Sequence, residues 1–153
     1  MLFRSPADGG SYANRTMKTI TLDGNLKADP IAATQTLAHE VGHATYPYSQ
    51  DISSKAGYVA GSLADEGAAT MNNIRVQREV LANGGPDIGI AGNPANHATY
   101  TSAYDQFLKD GNAGAARNAI GAQFGKGEFT SNTHQPYADY YGGRYDKHYP
   151  GKK

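Results

Sequence analysis

Five consecutive residues, His39-Glu40-Val41-Gly42-His43, carry the clearest chemistry in the chain. On a helix, two imidazoles four positions apart leave the same face about one turn, ~5–6 Å, from each other. Their nitrogens can then reach one divalent ion at roughly 2.0–2.1 Å each. The Glu40 carboxylate falls beside such an ion rather than on it, where it can take a proton from a water held there. The pattern is that of a zinc hydrolase core.

A catalytic zinc takes three protein ligands and keeps a fourth position for water. Glu66, Asp65, Glu79, His97, His134 and His148 are the residues able to complete the set. Glu66 is the preferred third ligand. It sits in Ala64-Asp65-Glu66-Gly67-Ala68-Ala69-Thr70, 23 positions after His43, and its small neighbours would let a second helix pack close to the first. Asp65, on another face of that helix, is the nearest competitor. A developing oxyanion needs a donor besides the metal. The tail offers His134, Tyr137, Tyr140 and Tyr141. His134 has the best claim, being in the rigid polar loop Asn132-Thr133-His134-Gln135-Pro136, and Tyr137 is the second candidate catalytic residue. His97 and His148 read as ordinary surface residues.

These groups need helices to position them. Asp29-Pro30 predicts a helix start, with Asp as N-cap and Pro at the first helical position. Ile31, Thr34, Leu37, Ala38 and Val41 then form a stripe at helical spacing that should face the core, and Pro47 ends the helix near Thr45 or Tyr46. Gly42 costs about 1 kcal/mol relative to Ala inside a helix, so its presence predicts close approach by a neighbour. A long second helix is expected from Gly57 or Ser62 to Ala82, stopped by Asn83-Gly84-Gly85-Pro86. Leu63, Ala69, Ile74, Val76, Val80 and Leu81 are its apolar positions.

Elsewhere the pattern is weaker. Residues 5–15 read as loop. Lys18-Thr19-Ile20-Thr21-Leu22 alternates and is β-branched, which predicts a strand, either in a small hairpin or as an edge onto which an extended peptide could pair. Asp23-Gly24-Asn25 closes it as a turn. Two shorter helices are expected at 97–109, with Tyr100, Tyr104, Phe107 and Leu108 inward, and at 113–124, with Ile120 and Phe124 inward. Gly125-Lys126-Gly127 should break the second, and the tail from Glu128 gives no clear periodicity. The fold class read from this is mainly α (α+β), one domain over residues 1–153.

Composition narrows the function classes. Fourteen basic and fourteen acidic residues leave zero formal charge, so no basic field exists for nucleic acid or anionic lipid. The apolar runs are too short for membrane insertion. With no cysteine, disulfide frameworks and thiolate metal sites are excluded. The start, Met1-Leu2-Phe3-Arg4 followed at once by Ser5-Pro6-Ala7-Asp8-Gly9-Gly10, reads as no signal peptide and as a module of something longer, such as the C-terminal part of a larger effector.

Leu37-Ala38-His39-Glu40-Val41-Gly42-His43 together with the later Asp65-Glu66-Gly67-Ala68-Ala69 resembles the gluzincin group of zinc metallopeptidases. More narrowly it resembles the short metallopeptidase toxin domains of bacterial polymorphic toxins and type VI secretion effectors. The resemblance covers residues 37–80. It implies a zincin-like fold with an active-site helix and a glutamate helix. It also implies Zn2+ on His39, His43 and Glu66, and Glu40 as general base. A peptide or protein substrate and a cognate immunity protein would follow, with delivery into a rival bacterium and action in the periplasm rather than the cytoplasm. Many gluzincins have an Asp four positions after the glutamate ligand to hold a zinc-bound imidazole. Here that position is Thr70, and Asn73, about two turns beyond Glu66, is the substitute. The same zinc-water chemistry would also serve an amidase of peptidoglycan stem peptides. A non-catalytic, metal-stabilised binding module would need a fourth protein ligand and would have no use for Glu40.

Overall fold

The computed structural model describes residues 2–4, 10–131 and 133–151. They form two compact units, one of Met1–Tyr46 with Ala69–Ala91, the other of Pro47–Ala68 with Gly92–Lys153. The architecture is mainly α with a small sheet near the N-terminus, as the sequence predicts.

In the first unit, three strands, β1 (Leu2–Arg4), β2 (Tyr12–Asn14) and β3 (Thr19–Asp23), pair in the order β1-β3-β2. β2 and β3 are the antiparallel arms of a hairpin, with Tyr12 opposite Thr21 and Asn14 opposite Thr19, and β1 lies parallel on the far side of β3. Two expectations are corrected. The 18–22 strand is the middle of the sheet rather than an edge, and part of the expected loop at 5–15 is β2. Residues 5–9 of that expected loop lie outside the described residues. β1 and β3 are far apart in sequence, so no local turn signal could announce their pairing.

Helix α1 (Pro30–Thr45) starts as its cap predicts: the Asp29 carboxylate accepts a hydrogen bond from the Ala32 N–H at 2.9 Å. It ends at Tyr46, directly before Pro47. Ala38, Glu40 and Gly42 are its buried positions; of the stripe expected to face the core only Ala38 is buried, Leu37 and Val41 are half-buried, and Ile31 and Thr34 are exposed. Gly42 has the close neighbour its cost implied. A Cβ there would lie 2.5 Å from Ala69 Cα and 3.0 Å from Ala69 O, on α2 (Lys55–Ala82). Asn72 fastens the same crossing by donating to the Ala38 carbonyl at 2.6 Å. Ala69, Met71 and Ile74 of α2 are buried, and Leu81 is exposed near the helix end.

The second unit contains the first part of α2, then α3 (His97–Asp110), α4 (Ala113–Gly127) and α5 (Tyr137–His148). Tyr58, Tyr100, Tyr104, Ala116, Ile120, Phe124 and Tyr145 are buried. Leu108, expected inward, is exposed. Helix α4 runs through Gly125-Lys126-Gly127 instead of breaking there. A Cβ at position 125 would meet the end of the Leu63 side chain at 2.7 Å, which would have to turn aside, so this glycine sits at a packing contact within the helix rather than at its end. Among the described residues, no helix is long and apolar enough to cross a membrane.

Candidate metal centre

Helix α1 presents the histidine pair. The rings of His39 and His43 stand edge-on, with centroids 4.9 Å apart and planes at 82°. Both are half-buried, and Glu40 between them is buried. Glu40 lies two positions from both Ala38 and Gly42 and so on the other side of the helix from them, which means that α1 is covered on two faces here.

Helix α2 presents Glu66, which is buried. Its carboxylate has a partner that spacing in the 37–80 region could not disclose. The Tyr141 hydroxyl, from α5, donates to Glu66 Oε1 at 2.5 Å. Burial first, and then the Glu66 carboxylate, push the Tyr141 phenol well above the ordinary tyrosine range, so it stays a donor. Of the tail's four candidate oxyanion donors, Tyr141 gives its proton to Glu66 instead. The available signal was the four-residue step of Tyr137, Tyr141 and Tyr145, one face of a helix.

His39, His43 and Glu66 each offer one ligand atom, and these atoms lie within 4.8 Å of one another. Donors on a shared tetrahedral zinc sit about 3.3 Å apart for bonds near 2.0–2.1 Å, a spacing within reach of side-chain torsions from 4.8 Å. Two neutral imidazoles and one carboxylate also match the three-ligand donor set of an open, catalytic zinc. On donor type, number and proximity, the residues fit a zinc ion.

The other sequence candidates are placed as follows. Asp65 is buried but is not part of this group of three; it lines a polar cavity with Tyr141. His134 is exposed on the turn after Glu128, with φ of 52° and its N–H bonded to the Thr130 carbonyl. Its side chain makes no hydrogen bond among the described residues. Tyr137 begins α5 and packs on Phe124, with ring centroids 4.8 Å apart, and on Tyr141 at 5.8 Å. This contact holds α5 against α4. Tyr140 accepts a hydrogen bond from Arg144 at 3.4 Å. His148 is exposed as expected, whereas His97 is half-buried, its Nε2 enclosed.

Asn73 has a different task from the imidazole-holding role expected of it. It donates to the Gly89 carbonyl at 3.1 Å and accepts from the Ala91 N–H at 2.7 Å, strapping the 87–91 loop. Thr70, in the position where gluzincins place their Asp, is fully buried, and its hydroxyl meets no hydrogen-bond partner among the described residues.

A second polar centre escaped the sequence reading altogether. Glu128, just past α4, is buried and accepts from the Tyr100 hydroxyl at 2.9 Å, the Asn96 amide at 2.7 Å and the Asn93 N–H at 2.9 Å. With three donors the charge is compensated, and the carboxylate locks the segment before α3 to the end of α4. Comparison with known proteins finds no matching family model, no matching curated protein and no matching solved structure.

Proposed function

We propose that the chain is a zinc-dependent metallopeptidase of gluzincin type, acting as an antibacterial effector domain. The observation that carries this reading is the convergence of ligand atoms from His39, His43 and Glu66 within 4.8 Å, with Glu40 buried between the two histidines. A module that used metal only for structure would require a fourth protein ligand, and the group contains three.

His39, His43 and Glu66 would hold the ion, and the Tyr141 hydroxyl fixes which way the Glu66 carboxylate faces. A zinc ion there supplies a Lewis acid and an acidified water. The Glu40 carboxylate takes the proton of the attacking water and delivers it to the departing amine nitrogen of the cut peptide bond. In this reading the substrate is a peptide or protein of a competing bacterium, met in the periplasm, and the producing cell carries an immunity protein.

The test joins metal analysis to one substitution. The purified chain should hold one zinc, lose it to a chelator, and cleave components of a peptide mixture scored by mass spectrometry. Glu40→Gln should hold zinc equally but cleave nothing, and should spare cells in which the exported native chain is toxic. Absence of zinc, or toxicity undiminished in Glu40→Gln, overturns the proposal.

A further inference from the structure

A recess of about 270 Å³ lies within the first unit, where the first half of α1 meets β3 and the short 3-10 turn Gly24–Ala28. Helix α1 contributes Pro30, Ala33, Thr34 and Leu37, the i, i+3, i+4 and i+7 positions of one face. Leu22, from β3, and Leu26, from the turn, complete the apolar lining. Along α1 this wall runs for seven residues, about 10 Å at 1.5 Å each. Lys27 is the charged residue of the lining, and it is exposed.

The charge in this recess is one-sided. Asp23 and Asp29 flank the turn, but each carboxylate caps the helix that follows it, accepting from the Asn25 N–H at 2.8 Å and from the Ala32 N–H at 2.9 Å. Lys27 has no ion-pair partner among the described residues. A lysine lays its stem on apolar surface and keeps its ammonium toward water, so the cation belongs at the mouth. Thr34 adds no free donor, because its hydroxyl donates to the Pro30 carbonyl at 2.7 Å.

Polarity then narrows the guest. A purely apolar molecule would leave the cation unanswered. A peptide backbone would bring N–H and C=O groups that these side chains cannot pair, and stranding them is costly. An unbranched alkyl chain ending in one carboxylate answers the lining in polarity, charge and length. In volume, 270 Å³ equals about nine waters at ~30 Å³ each, room for a tail of roughly seven to nine carbons. With zero formal net charge, the chain has no field to hold it on an anionic lipid surface, which points to a free acid as the source.

We infer that this recess binds a free medium-chain carboxylate, its tail along α1 and its head at Lys27. The inference stands apart from the metallopeptidase reading. At 3.6 residues per turn, the face of Pro30, Ala33, Thr34 and Leu37 and the face of His39 and His43 lie on roughly opposite sides of α1.

A methyl NMR titration of the full-length, leucine-labelled chain tests this, with hexanoate, octanoate, dodecanoate and 1-octanol as probes below their aggregation limits. The methyls of Leu22, Leu26 and Leu37 should shift, and those of Leu63, Leu81 and Leu108 should not. Octanoate should bind about tenfold tighter than hexanoate, as two further buried methylenes imply. Dodecanoate should gain far less per carbon, because its end outruns the recess. Lys27→Gln should weaken octanoate about two- to fivefold and leave 1-octanol unchanged. Ala33→Leu fills the recess with a good helix former and should abolish binding, with the same spectra reporting the fold. Lys27 is exposed, so its variant keeps the test decisive if Ala33→Leu misfolds. Titrations with and without zinc should agree, so failure of the peptidase chemistry leaves the result readable. Shifts spread over all the leucines, 1-octanol bound as tightly as octanoate, or no saturable binding overturns the inference. So would recess shifts that follow protein concentration without any acid, which would give the recess to a second copy of the chain.

Discussion

Replacing Gly42 by Ala sets two effects of known sign against each other. Inside a helix, Ala is favoured over Gly by about 1 kcal/mol, so local propensity predicts stabilisation. The added methyl, however, would sit 2.5 Å from Ala69 Cα, 2.9 Å from Asn72 Cβ and 3.0 Å from Ala69 O, where carbon atoms settle at roughly 3.5–4.0 Å. Two of these three atoms are α2 backbone and cannot rotate aside. Overpacking of this kind costs typically ~1–3 kcal/mol, which outweighs the propensity gain over most of its range. Gly143 supplies the control: it lies within α5, and a Cβ there meets nothing within 4 Å. Gly143→Ala should collect the propensity gain alone. The two variants should therefore differ by about 1–3 kcal/mol, or ~2–12 °C in melting temperature at ~2–4 °C per kcal/mol for a chain of this size. Circular-dichroism melts of chelated protein read this directly, and zinc affinity measured in parallel should fall only in Gly42→Ala. If Gly42→Ala melts at or above the native chain, the close crossing of α1 and α2 is not what holds that residue as glycine.

Tyr141→Phe removes the donor to Glu66 and should weaken zinc binding by about 10–100-fold, read by competition with a chromophoric chelator, while the fold persists. Tyr100→Phe deprives buried Glu128 of one of its donors and should cost about 1.5–3 kcal/mol in denaturant unfolding at neutral pH. Burial, then the Glu128 carboxylate, raise the Tyr100 phenol far above the ordinary range. Its neutral form is thus the folded form, and the stability it confers is complete below pH ~10 and lost as pH rises beyond. The native chain should therefore destabilise more steeply above pH 10 than Tyr100→Phe, and parallel curves would contradict this. Asn73→Ala leaves the part-buried Gly89 carbonyl and Ala91 N–H without their partner, about 1–3 kcal/mol for two ordinary hydrogen bonds; accelerated hydrogen exchange at Ala91 is the expected mark.

The parts legible in the sequence are those whose signals are local. Asp29-Pro30 and Pro47 bracket α1 because caps and proline act on adjacent backbone, and the step from His39 to His43 is helical geometry alone. Gly42 was informative through its cost, which only a near neighbour could justify. Glu66 was reachable because small residues surround it. Contacts between distant segments left no such trace. Tyr141 meets Glu66 across 75 positions, and Glu128 gathers donors from Asn93, Asn96 and Tyr100 by closing a loop around α3 and α4. Asn73 was misassigned for the same reason: helical spacing names the face of a residue but not the segment that comes to lie upon it. Gly125 and Gly127 show the converse ambiguity, since a glycine at a packing contact looks in sequence like one that ends a helix.

The strand order has a bearing on how any extended chain could be held. With β3 enclosed between β1 and β2, the margins of the sheet among the described residues belong to strands of three residues each. Alternate groups along a strand face outward, so such a margin offers an incoming backbone about two hydrogen bonds. Main-chain zippering would be too short to grip a substrate on its own. If the chain cuts peptides as proposed, selection among them would then fall to side-chain contacts rather than to main-chain pairing.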